Sequence, residues 1–176
     1  NRTYYLGRSQ TPFFSLMVKL WGNERGAEAM LPYADALEEE YEFWMDGHDQ
    51  LKKSGDREKR VVKMPDGSIM NRYWDDFAQP RPESFKEDVH AAHESDRSAD
   101  IVYRDLRARA ESGWDYSCRW LTSSNQLSTI ETTSIIPVDL NSLLYHLEIL
   151  LHDVNQMLMN LAIGSIQLQL LPNLVL

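Results

Sequence analysis

Apolar residues recur at helical spacing in several stretches of the chain. Thr11-Pro12 has the form of a helix N-cap followed by proline at the first helical position, and Phe13, Leu16, Met17, Leu20 and Trp21 then repeat along one side, which predicts a helix packed on that face. Leu31, Ala34, Leu37, Tyr41, Trp44 and Met45 repeat the pattern with Gly47 as the stop, and the acid run Glu38, Glu39, Glu40 and Glu42 falls mostly on the solvated side. Two further helices are predicted, over about 98–111 through Ile101, Val102, Leu106 and Ala110, and over about 138–151 through Leu140, Leu143, Leu144, Leu147 and Leu151. The fold class that follows is all-α.

Between the helices the pattern changes. Arg60 to Met64 and Ser68 to Trp74 flank Pro65-Asp66-Gly67, a turn tripeptide between extended runs, so a small hairpin is predicted there. Gln79-Pro80-Arg81-Pro82-Glu83-Ser84 reads as a stiff loop, because each proline fixes its own φ and pushes its predecessor into extended geometry. Past Asp153 the charges stop altogether, and Ile166-Gln167-Leu168-Gln169-Leu170 alternates like a strand. Asn155, Gln156, Asn160, Gln167, Gln169 and Pro172 make this stretch a poor membrane span, since each amide would need a partner in hydrocarbon.

Composition narrows the function. With 176 residues and 43% apolar content the chain is folded rather than disordered. Its 18 Lys+Arg against 27 Asp+Glu give a net charge of -9, which argues against a nucleic-acid partner and against docking on an anionic membrane. Cys118 is the only cysteine, so neither an intrachain disulfide nor a cysteine-based zinc site can form, and it reads as a small buried hydrophobe. The start at Asn1, with no initiator Met and no leader, reads as truncated.

The candidate chemistry is carboxylate chemistry. No Gly-rich phosphate loop, Gly-x-Ser-x-Gly elbow or His-Glu-x-x-His is present. His90 and His93, beside Asp88 and Glu94, read as a charged, exposed helix end in preference to a metal site, and no metal or other cofactor is expected. Ser112-Gly113-Trp114-Asp115-Tyr116-Ser117-Cys118-Arg119-Trp120 sets one carboxylate among three aromatic rings and near a guanidinium. An aspartate in an apolar, partly dry pocket has its neutral form favoured by desolvation, which suits a general acid, whereas Arg119 opposes this if its charge comes close. A surface Asp beside core tryptophans is the competing reading, and Trp74, Trp114 and Trp120 serve equally well as core or as sugar platforms.

Five strings in order carry a resemblance: Asn1-Arg2-Thr3-Tyr4-Tyr5-Leu6 with Arg8-Ser9-Gln10, Asn71-Arg72-Tyr73-Trp74, Pro80-Arg81-Pro82-Glu83-Ser84, Ser112-Gly113-Trp114-Asp115, and Pro137-Val138-Asp139-Leu140-Asn141. Together they resemble trehalase, the glycoside hydrolase (family 37) that splits α,α-trehalose into two glucoses. Met64-Pro65-Asp66-Gly67-Ser68 and Gly113-Trp114-Asp115-Tyr116-Ser117 look closer to the bacterial cytoplasmic type, with the periplasmic type as the alternative. The resemblance implies part of an (α/α)6 barrel with a small β-hairpin and long loops, no cofactor, trehalose as the small-molecule partner, and a monomer when complete.

It also implies an inverting mechanism, in which one carboxylic acid protonates the glycosidic oxygen and a second carboxylate activates water on the opposite face, roughly 6.5–9.5 Å away. Asp115 matches the family's general acid; Arg8, Ser9, Gln10, Arg81, Glu83 and Gly113 match its sugar contacts. Arg8 could instead cap or pair locally, and Arg81 and Glu83 could pair only with each other. The family's general base is expected beyond Leu176 and another of its motifs before Asn1, so residues 1–151 read as a partial catalytic domain, inactive alone, and residues 152–176 as a divergent apolar tail without family likeness. The alternative is a carbohydrate-binding or scaffold remnant of a helical-barrel glycosidase that has lost its chemistry.

Overall fold

The computed structural model describes residues 8–123 and 125–170, the last seven of them by backbone alone. Five α-helices carry the chain: α1 (Phe14–Arg25), α2 (Ala34–Met45), α3 (Phe85–His93), α4 (Ala99–Glu111) and α5 (Val138–Leu170). Three short strands, β1 (Arg57–Glu58), β2 (Val61–Lys63) and β3 (Ile69–Asn71), form an antiparallel sheet in that order, with Val61 opposite Asn71 and Lys63 opposite Ile69. The chain is therefore mainly helical with a small sheet, as the periodicity predicts. Within the described residues it divides into two compact units, one of 8–11 with 44–141 and one of 12–43 with 142–170.

The second unit corrects the reading of the first helix. Thr11-Pro12 does not cap it: the N-cap is Phe13, with no side-chain bond, while the Thr11 hydroxyl donates to the carbonyl of Ser112, a contact within the first unit. Nor is the apolar stripe of α1 its buried side. Met17 is 60% and Leu20 62% exposed, and the buried residues are Ser15, Val18 and Gly22. These are small and permit close approach; a Cβ on Gly22 would lie 2.5 Å from Cγ of Met30, in the 3-10 stretch Ala27–Tyr33. Ser15 Oγ lies 3.1 Å from His146 Nδ1 on α5, and Lys19 faces Asp153 at 3.9 Å.

The predicted second helix is divided: Pro32 sits in the 3-10 stretch and α2 begins only at Ala34, with Leu37 buried. Glu38, Glu39 and Glu42 are solvated as expected, but Glu40 is half-buried and burial raises its pKa. The final helix is longer than predicted. α5 continues without a break through 166–170, so the alternation there is not a strand, and its buried face of Leu144, Leu147, Leu150 and Leu151 extends to Val154. Residues 171–176 and the motif residues 1–6 lie outside the described residues. No helix among the described residues is long and apolar enough to cross a membrane.

In the first unit, Trp44, Tyr73 and Trp120 form the aromatic centre, with Tyr73 edge-on to Trp44 at 6.2 Å and to Trp120 at 6.0 Å. Burial pushes the Tyr73 phenol up to about 12. The hairpin forms where predicted. Asp66 Oδ1 accepts from the amide and hydroxyl of Ser68, and Gly67 adopts φ 89°. The strands are shorter than the sequence suggests, because Trp74 leaves the ladder to donate its amide to Glu111.

Much of the first unit is irregular, and buried carboxylates hold its loops. Asp75 accepts from the Phe77 amide and Arg107, Asp88 from the Arg81 amide and guanidinium, and Asp105 from the Thr133 amide and Arg97. Glu111 accepts from the Ser9 and Trp74 amides and from Arg60. All four are at most 1% exposed. A carboxylate offers several lone pairs, so one side chain satisfies a main-chain donor and a buried guanidinium together.

Candidate active site

The segment that follows α4 is shaped by its own hydrogen bonds. Ser112 Oγ donates to the Arg109 carbonyl and accepts from the Trp114 amide, and Gly113 takes φ 70°, which lets the chain turn away from the helix axis. Trp120 is fully buried and its indole N–H donates to the Trp114 carbonyl at 3.1 Å, anchoring the far end. Asp115 sits between these anchors.

Asp115 lies on the wall of a cavity of about 670 Å³, within the size range of small-molecule sites. Arg8, Arg81, Glu83 and Arg109 share that wall, with Glu87 and Cys118. Four of the residues singled out in the sequence, from three separate strings, thus converge on one space. Asp115 Oδ1 is buried and accepts no hydrogen bond from any described residue.

The pairing among these groups is not the one weighed from the sequence. Glu83 pairs with Arg8 at 2.7 Å, while Arg81 clasps Asp88 through Nε at 3.0 Å and Nη2 at 2.7 Å. Burial works against the ionised form of Glu83, but the Arg8 hydrogen bond and charge hold its carboxyl below the ordinary value. For Arg81 burial acts downward, and Asp88, with Glu83 and Asp115 beyond it, holds the guanidinium above its ordinary value.

The aromatic box around Asp115 does not form. Trp114 is 52% exposed, Tyr116 borders the cavity but is 98% exposed, Trp120 belongs to the core, and no tryptophan lines the cavity among the described residues. Trp74 is instead clasped by two guanidinium groups, Arg72 at 4.6 Å and Arg104 at 4.4 Å from its ring. Arg119 pairs with Asp139 at 2.8 Å and lies over Trp114 at 4.7 Å. Arg81 and Arg109 share the cavity wall with Asp115 and feel its charge. Cys118 is exposed rather than a buried hydrophobe.

Ser9, Gln10 and Gly113 do not line the cavity in this structure. The Ser9 amide is bound to Glu111, Gln10 is exposed, and Gly113 is required by its backbone angle, since a Cβ there would meet only Thr11 Oγ1 at 3.6 Å. His90 and Glu94 approach to 3.3 Å on an exposed helix end, and no group of three metal-ligating side chains occurs among the described residues.

Sequence reasoning missed Arg109 and Glu111. A signal was available: Val102, Asp105, Leu106, Arg109 and Ala110 occupy one helical face at i, i+3, i+4, i+7 and i+8, and all five are buried. Charges on an otherwise apolar stripe mark positions with a partner or a task.

A family model described as trehalase matches residues 1–167. A periplasmic trehalase of Citrobacter koseri is 55% identical over 149 residues, 84% of this chain and 26% of that protein. Those of Escherichia coli O8 and Salmonella paratyphi B are 52% and 54% identical with the same coverage. The chain thus spans about a quarter of the length of the curated relatives it matches.

Proposed function

The chain belongs to the trehalase family, and we propose that the whole protein is a glycoside hydrolase that cleaves α,α-trehalose to two glucose molecules with inversion. The observation that carries this reading is the convergence of Arg8, Arg81, Glu83 and Asp115 on one polar cavity. A disaccharide presents many hydroxyls and one bond to be broken. Guanidinium and carboxylate groups bind the hydroxyls through fixed hydrogen bonds, and one carboxylic acid serves the bond.

Asp115 is the general acid in this scheme. It gives its proton to the glycosidic oxygen as that oxygen departs with one glucose, while a water, deprotonated by a second carboxylate on the opposite face, attacks the anomeric carbon. Glu83 is not that base, being committed to Arg8. The base comes from another part of the protein, so residues 1–151 supply the acid and part of the sugar pocket of an (α/α)6 barrel and turn over no trehalose alone. Ser9, Gln10 and Gly113 join the pocket when it is complete, and the enzyme works as a monomer. The likeness to periplasmic trehalases supports the periplasm as the compartment in place of the cytoplasm suggested by the wording of residues 64–68 and 113–117.

Asp115→Asn in the full-length protein tests the assignment. It keeps shape and removes the proton, so glucose release should fall by about 10²-fold or more while trehalose still binds. Near-normal turnover would sink it.

A further inference from the structure

We propose that Arg109 is a further guanidinium of the sugar pocket, donating hydrogen bonds to hydroxyl groups of the disaccharide held beside Asp115. The inference rests on the trehalose reading above and adds a specificity-determining residue to it.

Arg109 stands in the last turn of α4, one turn beyond the buried Asp105, and lines the cavity with Asp115 and Arg81. It is 9% exposed, its Nε is buried without an acceptor, and among the described residues its guanidinium has neither a hydrogen bond nor an ion pair. Arg8, Arg60 and Arg104 also keep a buried Nε without an acceptor, but Arg8 is paired with Glu83, Arg104 is stacked on Trp74, and the other buried or partly buried arginines of this unit are hydrogen-bonded. Arg60 donates to Glu111, Arg72 to the Lys59 and Thr133 carbonyls, Arg81 to Asp88, Arg97 to Asp105, and Arg107 to Asp75. A guanidinium has five donors and no acceptor, and leaving it buried and unmatched is costly.

No partner among the described residues explains the placement. Burial and the like charge of Arg81 depress the pKa of Arg109, and Asp115 and Tyr116 offset this only in part. A polyhydroxylated ligand would reverse the balance, because its oxygens would supply acceptors to a guanidinium that lines the cavity without any. Asp115, whose Oδ1 is likewise buried without a partner, lines the same space. The two unmatched groups, one a donor and the other a carboxyl, fit successive oxygens of one sugar.

The test uses the full-length protein with Arg109→Met, an apolar replacement of similar length. Its folding midpoint should equal or exceed that of the parent, since an unmatched buried charge is removed. KM for trehalose should rise tenfold or more, and in Arg109→Ala, which leaves room at the site, added guanidinium ion should restore part of the loss. A KM within twofold of the parent overturns the inference and leaves the trehalase reading standing, as does a raised KM with a lowered folding midpoint and no rescue, which marks a structural role. If Arg109→Met fails to fold, Arg109→Gln is judged by the same KM criterion and Arg109→Ala by rescue. Failure of the parent itself to cleave trehalose overturns the proposed function and this inference together.

Discussion

Arg8 and Glu83 stand 75 positions apart and meet at 2.7 Å on the wall of the Asp115 cavity. The pair ties the segment before α1 to the proline-rich loop before α3. Its contribution depends on pH with a definite sign. The Glu83 carboxyl is held below its ordinary value of 4.5 in the fold, so the stabilisation is fully present above that pH and is lost as pH falls through the lower folded value. Denaturant midpoints of the parent and Glu83→Gln should differ by a constant amount near neutrality and converge in acid. An equal gap at every pH would contradict the pairing.

Asp88 is the anchor of Arg81, accepting its amide and two guanidinium N–H groups while fully buried. Asp88→Asn removes the charge and leaves Arg81 partly buried without its counter-ion, which typically costs about 3–5 kcal/mol. The urea midpoint should drop accordingly, and KM for trehalose should rise because Arg81 loses its aim. A loss below about 1 kcal/mol would show that the clasp contributes little.

Gly113 separates two explanations of one glycine. Its φ of 70° is unfavourable for a side chain, whereas the space around it is not, with 3.6 Å to Thr11 Oγ1. Gly113→Ala should therefore cost about 1–2 kcal/mol through backbone conformation alone. Gly113→Asn should cost less, since asparagine tolerates this region. Equal losses, read from thermal unfolding, would point to crowding instead.

Cys118 offers a probe of the cavity from outside. It is exposed and on the cavity wall, so a maleimide should label the native protein completely at that residue, and trehalose bound in the full-length protein should slow the labelling. Labelling that needs denaturant first would refute the exposure.

The legible parts of the fold were those written in local pattern. The hairpin followed from Pro65-Asp66-Gly67, and α4 and the start of α5 from their apolar spacing. α1 misled because its most apolar stripe, Phe13, Met17, Leu20 and Trp21, is exposed while the small residues Ser15 and Gly22 are buried. Periodicity identifies a helix, but which side is covered depends on what lies alongside it, and small residues pack closely without signalling it. In the site, Arg8, Arg81, Glu83 and Asp115 came from resemblance rather than from local physics. The reason first given for Asp115, its aromatic neighbours in sequence, fails because successive residues in a turn point in different directions, so Trp114 and Tyr116 face solvent. Arg109 and the four buried carboxylates were hidden for a further reason: their partners are main-chain amides, guanidinium groups elsewhere in the chain or a cavity, which no local string displays.

Those carboxylates bear on which loop positions can vary. Glu111 and Asp75 grip Ser9, Trp74 and Phe77 by their amides alone. Any residue except proline brings an amide, so for these ties the side chains at the gripped positions are interchangeable while the acids are not. The course of these loops is stored in the acids, so that substitution at the gripped positions leaves the loops' path, and with it the frame behind the cavity wall, in place.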